Sequence, residues 1–181
     1  DSRSNKSFID CSSRENYIFN SSINGIEESD LILLIGTNPR FEATMLNARI
    51  RKAYLGNNTK IISLNNLGEL TYPYQSLNGK TQTIKDIIED KNEVSKEIIN
   101  SKKPIVVLGE SFFKLKSAHY LFFGIKEFLL KNKKFIDKWS PLNILSTDAA
   151  TVGSFDLDIL DETNEVFEKL HENKFKIIYL L

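Results

Sequence analysis

An α/β fold with a doubly wound parallel sheet is what this chain of 181 residues predicts, and three observations carry the expectation. Leu31 to Ile35 is apolar at every position and stops at Gly36, as a strand covered on both faces would. Thr37-Asn38-Pro39 follows and opens a stretch whose apolar residues recur at helical spacing. The same alternation then repeats, giving the order β-α-β-α-β-α-β. Strands that alternate with helices form parallel sheets joined by right-handed crossovers.

Residues 1–16 are polar and aperiodic and read as a loop segment, and residues 17–181 as one Rossmann-like α/β domain. Asn20, Ser21 and Ser22 offer N-caps for a short helix through Glu28. After the first strand, Asn38 can cap the next helix and Pro39 suits its first turn. Ala43, Leu46, Ile50, Ala53 and Tyr54 mark its inner face, and Gly56-Asn57-Asn58 ends it. Lys60 to Leu64 is the second strand. A long connection, Asn65 to Gly79, carries Leu70-Thr71-Tyr72-Pro73-Tyr74. Helical patterns cover Thr81 to Asp90 and Asn92 to Lys102, and Pro104 opens a third strand, Ile105 to Leu108, ending at Gly109. Ser117 to Lys131 is a strongly apolar helix in which Phe122-Phe123 reads as buried against another helix or a partner subunit, and it leaves through the basic run Lys131 to Lys134. Pro141 to Asp158 reads as a short helix and then a loop, Glu162 to Glu172 as a helix, and Phe175 to Leu181 as a fourth strand. A chain that stops on a buried-type strand predicts that more protein follows, in this chain or another.

Composition excludes several classes of function. Lys+Arg and Asp+Glu are both 24, so the net charge is zero and there is no electrostatic case for nucleic acid or an anionic membrane surface. No apolar run approaches the roughly 20 residues that span a bilayer, so direct membrane insertion is not expected. The N-terminal DSRSNKSFID lacks the apolar core of a signal peptide and reads as the start of a fragment or a processed chain. The single cysteine, Cys11, cannot form an internal disulfide or supply a zinc or iron–sulfur ligand set, so no metal site is expected.

The turn Gly36-Thr37-Asn38-Pro39-Arg40 is the one place where the pattern points to a ligand. Glycine lets backbone N–H groups approach an anion, a helix start carries partial positive charge, and Arg40 could add a charge-assisted contact. In open α/β sheets the crevice at such a turn is the usual ligand position. Yet neither GxGxxG nor GxxxxGK[ST] is present, and a strand-Gly-turn-helix junction is required by the fold itself. Gly36, Thr37, Asn38 and Arg40 are therefore read as vestigial candidates, with no working cofactor site and no catalytic residue expected. Asp30 and Glu42 flank the turn without making an acid–base pair, and Gly109-Glu110-Ser111 could line the same crevice. His119, on the apolar helix, and His171, at a helix end, show no positioned partner in sequence, and no GxSxG elbow occurs. Arg49, Arg51, Lys52 and Lys131 to Lys134 read as solvated helix faces.

Arg14 to Leu55 (RENYIFNSSINGIEESDLILLIGTNPRFEATMLNARIRKAYL) resembles a segment of the large iron–sulfur subunit of respiratory complex I, NADH:quinone oxidoreductase. That subunit ends in a molybdopterin-oxidoreductase-like domain. The later blocks Leu70 to Tyr74, Lys103 to Gly109, Asn143-Ile144-Leu145 and Phe155-Asp156-Leu157 fall in the family's order. Two departures bear on a pterin pocket more than on the fold: Thr44 stands where a proline usually follows Glu-Ala, and Asp156-Leu157-Asp158 lacks the glycine that usually follows.

The resemblance implies a structural, non-catalytic part of the peripheral arm, in a larger molybdopterin-oxidoreductase-like fold. Catalysis would belong to the assembled NADH:ubiquinone reductase, with no cofactor on this chain and with Fe–S clusters and FMN in partner subunits. The implied partners are other peripheral-arm subunits, including the cluster-bearing part of the same subunit. The implied location is the matrix side of the mitochondrial inner membrane, or the cytoplasmic face of a bacterial inner membrane. Two alternatives stay open: a pterin-binding fragment of an active molybdopterin oxidoreductase, with Gly36 to Arg40 gripping a phosphate, and a free-standing nucleotide-binding module.

Overall fold

The computed structural model describes residues 9–137, 139–148, 150–157, 170–172 and 174. The chain divides into two compact units, Ser7–Thr147 and a second made of Asp1–Lys6 with Asp148–Leu181.

Five parallel strands build the first unit: β1 (Leu31–Ile35), β2 (Lys60–Ser63), β3 (Gln75–Ser76), β4 (Pro104–Gly109) and β5 (Leu142–Leu145). Their spatial order is β3-β2-β1-β4-β5. The chain leaves β1 to build β2 and β3 on one side, then returns to lay β4 on the other. β1 is thus the central strand, and the change of direction lies between β1 and β4. All five residues of β1 are buried. Alternate side chains enter opposite cores because successive strand residues face opposite ways. Leu31, Leu33 and Ile35 join one core with α3 (Thr81–Ile88), α4 (Glu93–Asn100), α5 (Glu110–Phe113) and α6 (Ala118–Lys131). Ile32 and Leu34 join the other with Leu46, Ile50 and Ala53 of α2 (Thr44–Asn57), and with Ile26, Leu70, Tyr72 and Trp139. The sheet is covered on both faces, as expected of a doubly wound fold.

Several expectations change. The region read as a helix followed by a loop is instead a strand followed by a helix: β5, then α7 (Thr151–Asp156), which belongs to the second unit. Asn143 in β5 misled the pattern because its polar side chain is fully buried. It accepts from Ser21 N at 2.7 Å and donates to Ser21 Oγ at 2.8 Å, so burial leaves it satisfied. β3 was hidden within the long connection because two exposed residues carry no apolar signal. Ahead of β1, the N-terminal loop closes a 3₁₀ turn at Arg14–Asn16, and the short helix narrows to a 3₁₀ turn at Gly25–Glu28. Asn20 and Ser21 do not cap it; they reach the carbonyls of Leu142 and Ser140 and hold this segment against β5. The single helix expected from Asn38 breaks at Ala43 into α1 (Pro39–Glu42) and α2, and Asn58 ends α2 with a left-handed φ of 53°. Phe122 is buried, but Phe123 is 38% exposed and packs beside His119. Of the helix expected at Glu162 to Glu172, only Leu170–Glu172 is described, and Leu170 and His171 are helical. The expected strand Phe175 to Leu181 lies outside the described residues.

The amino edge of the sheet is held by a polar network. Asp30 accepts from Ser101 Oγ, from Lys102 N at 2.6 Å and from Lys103 N at 3.0 Å. This carboxylate closes the turn that leads from α4 into β4. Burial pushes the Asp30 carboxyl up, and these hydrogen bonds more than offset it, leaving it below the usual aspartate range. Lys134, expected on a solvated face, is instead buried. Its ammonium donates to Ile99 O and Ser101 O, both at 2.6 Å, and so satisfies carbonyls at the C-terminal end of α4.

Lys134→Met keeps the aliphatic stem and strands those carbonyls. It is expected to cost about 1–3 kcal/mol in urea unfolding. Because the folded-state pKa of Asp30 is lowered, its contribution is full above the ordinary aspartate value of 3.8 and fades as pH falls through the lower folded value. Asp30→Asn should therefore be less stable than the parent at pH 7, with the gap closing in acid; an unchanged gap at pH 2.5 would contradict this.

Candidate functional site

The turn after β1 meets the turn after β4 at the switch point of the sheet, where an α/β fold places its crevice. Gly36 has a φ of +67°, a conformation open to glycine and strained for other residues. A Cβ there would lie 2.5 Å from Phe112 N and 2.9 Å from Phe112 Cβ. Across the gap, a Cβ on Gly109 would lie 2.4 Å from both Gly36 O and Thr37 Cβ. The two glycines let the turns touch backbone to backbone. Phe112 of α5, buried and set edge-on to Phe113 at 5.2 Å, packs directly behind Gly36. The contact occupies the space between β1 and β4 at their carboxyl ends.

The turn's own donors are also engaged. Asn38 caps α1, its side chain accepting from Arg40 N at 3.2 Å, and Pro39 occupies the first turn. The carboxylate of Glu42 folds back, accepting from Thr37 Oγ1 at 2.7 Å and from Asn38 N at 3.1 Å. This resembles a capping box with the acid one residue further on. An incoming phosphate would meet a carboxylate already on the hydroxyl and the amide it needs. Arg40 turns away from the crevice: its guanidinium donates to Glu69 O and lies 3.5 Å from the Glu69 carboxylate.

The connection after β2 binds this assembly from the side. Asn38 Nδ2 donates to Leu67 O at 3.2 Å, Asn47 Nδ2 donates to Leu70 O at 3.3 Å, and the Tyr72 hydroxyl donates to Asn47 Oδ1 at 2.7 Å. Burial pushes the Tyr72 phenol well above its ordinary value, so it stays a neutral donor. The loop is tethered further by Tyr74, whose hydroxyl accepts from Leu67 N at 2.8 Å.

The four vestigial candidates are therefore brought together, but as parts of a closed and internally satisfied turn. Other expected neighbours are not there. Asp30 stands at the opposite end of β1 from Glu42, five residues or about 16 Å of strand away. Glu110 opens α5 and accepts from Thr147 Oγ1 and from Lys114 Nζ at 2.9 Å. The hydrogen bond from Thr147 and the pairing with Lys114 hold its carboxyl below the usual range. His119 is exposed on α6, and His171 is exposed in the second unit. Arg49 and Lys52 are not simply solvated, since both pair with Glu27 and tie the 3₁₀ turn to α2. Cys11 is exposed. Among the described residues, no cluster of three His, Cys, Asp or Glu side chains could hold a metal. No helix among them is long and apolar enough to cross a membrane.

Sequence reasoning missed the inward turn of Glu42, the contact of Phe112 with Gly36 and the Asn47–Tyr72 pair. Only the first left a trace, an acid four residues after an N-cap asparagine.

Gly36→Ala combines left-handed strain of about 1–2 kcal/mol with a backbone clash, and Gly109→Ala clashes alone. Both variants should melt at least about 5 °C below the parent by calorimetry. Glu42→Gln, which keeps an acceptor, should melt within about 2 °C of the parent, whereas Glu42→Ala should lose about 1 kcal/mol.

Comparison with known proteins gives a consistent picture. The profile of the molybdopterin oxidoreductase family matches residues 2–181. The NADH-ubiquinone oxidoreductase 75 kDa subunit of Reclinomonas americana is 37% identical over 170 residues, which are 93% of this chain and 24% of that protein. The mitochondrial 78 kDa subunit of the same enzyme in Candida albicans is 36% identical over 169 residues, 93% of this chain and 22% of that one. The mitochondrial NADH dehydrogenase (ubiquinone) iron-sulfur protein 1 of Solanum tuberosum is 32% identical over 168 residues, again 93% and 22%. The chain spans about a quarter of the length of these curated relatives.

Proposed function

Since this chain belongs to the molybdopterin oxidoreductase family, and its relatives are 75 and 78 kDa subunits of NADH-ubiquinone oxidoreductase, we propose that it is a non-catalytic, structural part of the peripheral arm of respiratory complex I. In this reading it packs among other arm subunits, including the cluster-bearing part of the same subunit. It works on the matrix side of the mitochondrial inner membrane. Electrons pass from NADH toward quinone through FMN and iron–sulfur clusters held elsewhere.

The observation that carries the reading is the closed switch point. A pterin cofactor held by phosphates needs backbone donors and room beside them. Here Thr37 Oγ1 and Asn38 N are spent on Glu42, and the space beyond Gly36 is filled by Phe112. A phosphate would be repelled by the Glu42 carboxylate, and Arg40 is directed to Glu69. The residues present do not fit the pterin cofactor of the family. What they do fit is packing: turns from β1, β2 and β4 meet in one hydrogen-bonded knot that gives the sheet a rigid carboxyl edge.

Native gel electrophoresis of detergent-solubilised mitochondrial membranes tests the proposal. The chain is expected to migrate with a large NADH-oxidising complex. Purified alone, it is expected to carry neither iron nor molybdenum by elemental analysis and to release no pterin on denaturation. A stoichiometric pterin, or migration only as a free small protein, would overturn the reading.

A further inference from the structure

The sheet has two lateral edges, and they are closed in different ways. β3, on one side, is two residues long and both are exposed, and a strand that short offers little for another to pair with. β5, on the other side, has no such defence in its own sequence. Ser140 to Ser146 reads SPLNILS, without a charge. Pro141 does not blunt the edge, because its carbonyl accepts from Val106 N at 2.7 Å and so faces β4. The outward row is Ser140 O, Leu142 O and Ile144 N. Left uncovered, an uncharged row of this kind is a template for another strand.

Residues 9–21 cover it. Ile18 O accepts from Ile144 N at 3.1 Å, and Phe19 pairs with Asn143 in an antiparallel bridge. Side chains meet the other two groups: Asn20 Nδ2 donates to Leu142 O at 2.8 Å and Ser21 Oγ to Ser140 O at 2.5 Å. The segment also crosses the edge, with Ile9 packed against the core of α3 to α6 and Phe19 against the core of α2. It is tied to α6, where Lys126 Nζ donates to Asn16 Oδ1 and Asn16 Nδ2 to Asp10 Oδ2, both at 2.6 Å.

We infer that residues 9–21 are a strap that keeps β5 from pairing with the β5 of a second copy. The row is self-complementary: laid antiparallel about a twofold axis, two copies set Ile144 N of each against Leu142 O of the other. The strap itself shows that this edge accepts an antiparallel neighbour. No charge between Ser140 and Ser146 opposes the pairing. The strap reaches Ser140 O and Leu142 O through short side chains, so these bonds can be removed without touching the sheet. In Ser21→Ala, Asn143 keeps the backbone N–H of residue 21 and the carbonyl of Pro141, so β5 retains its buried partners.

Analytical ultracentrifugation of the full chain carrying Asn20→Ala and Ser21→Ala tests the inference. The parent is expected to sediment as a monomer. The variant is expected to form dimers with an association constant at least tenfold larger. The Ile144 amide should exchange its hydrogen at least tenfold faster in the dilute variant than in the parent, and slow again as the dimer forms. Adding Leu145→Lys puts a charge on the edge, with a stem that can lie where the half-buried Leu145 lies, and should return the variant to a monomer. A variant that stays monomeric, a dimer that Leu145→Lys does not dissolve, or an Ile144 amide still protected in the dilute variant would overturn the inference. Should the double variant lose its circular dichroism, Asn20→Ala alone, which leaves Ser21 in place, is read by the same three outcomes.

Discussion

The structure depends on one close approach, the contact between the turns at Gly36 and Gly109. β1 is central and buried on both faces, and its neighbour across the switch point is β4. Parallel strands normally splay their connections apart at this position, which leaves a crevice. Here two residues without a Cβ let the turns touch, and the amide of Phe112 sits where a side chain on Gly36 would have to go. Glu42 closes on Thr37 and Asn38, and Arg40 swings to the connection after β2.

The two edges of the sheet are held by different physics. At the carboxyl edge, two residues without a Cβ let the turns after β1 and β4 meet backbone to backbone. At the amino edge, charge is satisfied by the backbone: Asp30 gathers the amides ahead of β4, and the buried Lys134 answers the last carbonyls of α4. An unpaired ammonium in that place would be costly, so the arrangement is tolerated only because its partners are carbonyls held in place by secondary structure.

Much of the architecture was legible in the residues. The uninterrupted apolar run Leu31–Ile35 could only be a strand covered twice, and Asn38-Pro39 announced a helix start that the structure repeats in detail. The inner face of α2 follows its spacing, with Leu46, Ile50 and Ala53 buried. Failures fell where a polar residue is buried through a distant partner. Asn143 disguised β5 because its partner, Ser21, lies 122 residues away in the chain. Lys134 looked like one of a solvated cluster because the carbonyls it serves lie on another helix. Phe123 looked buried because its helix is apolar almost all the way round, and only packing decides which side faces the sheet. Asp30 and Glu42 seemed to be neighbours, and the length of an extended strand separates them.

The residues by themselves determined the class of fold, its central strand, the glycine turn and, through an ordered series of short blocks, the family. These follow from local rules: alternating periods, caps and backbone freedom, each readable within a few positions. Whether the turn is open or closed was left to the tertiary structure. That depends on Gly109 and Phe112 arriving more than 70 residues later, from a strand on the far side of the switch point. A crevice is a relation between two segments, and no single segment of the chain carries the distance between them.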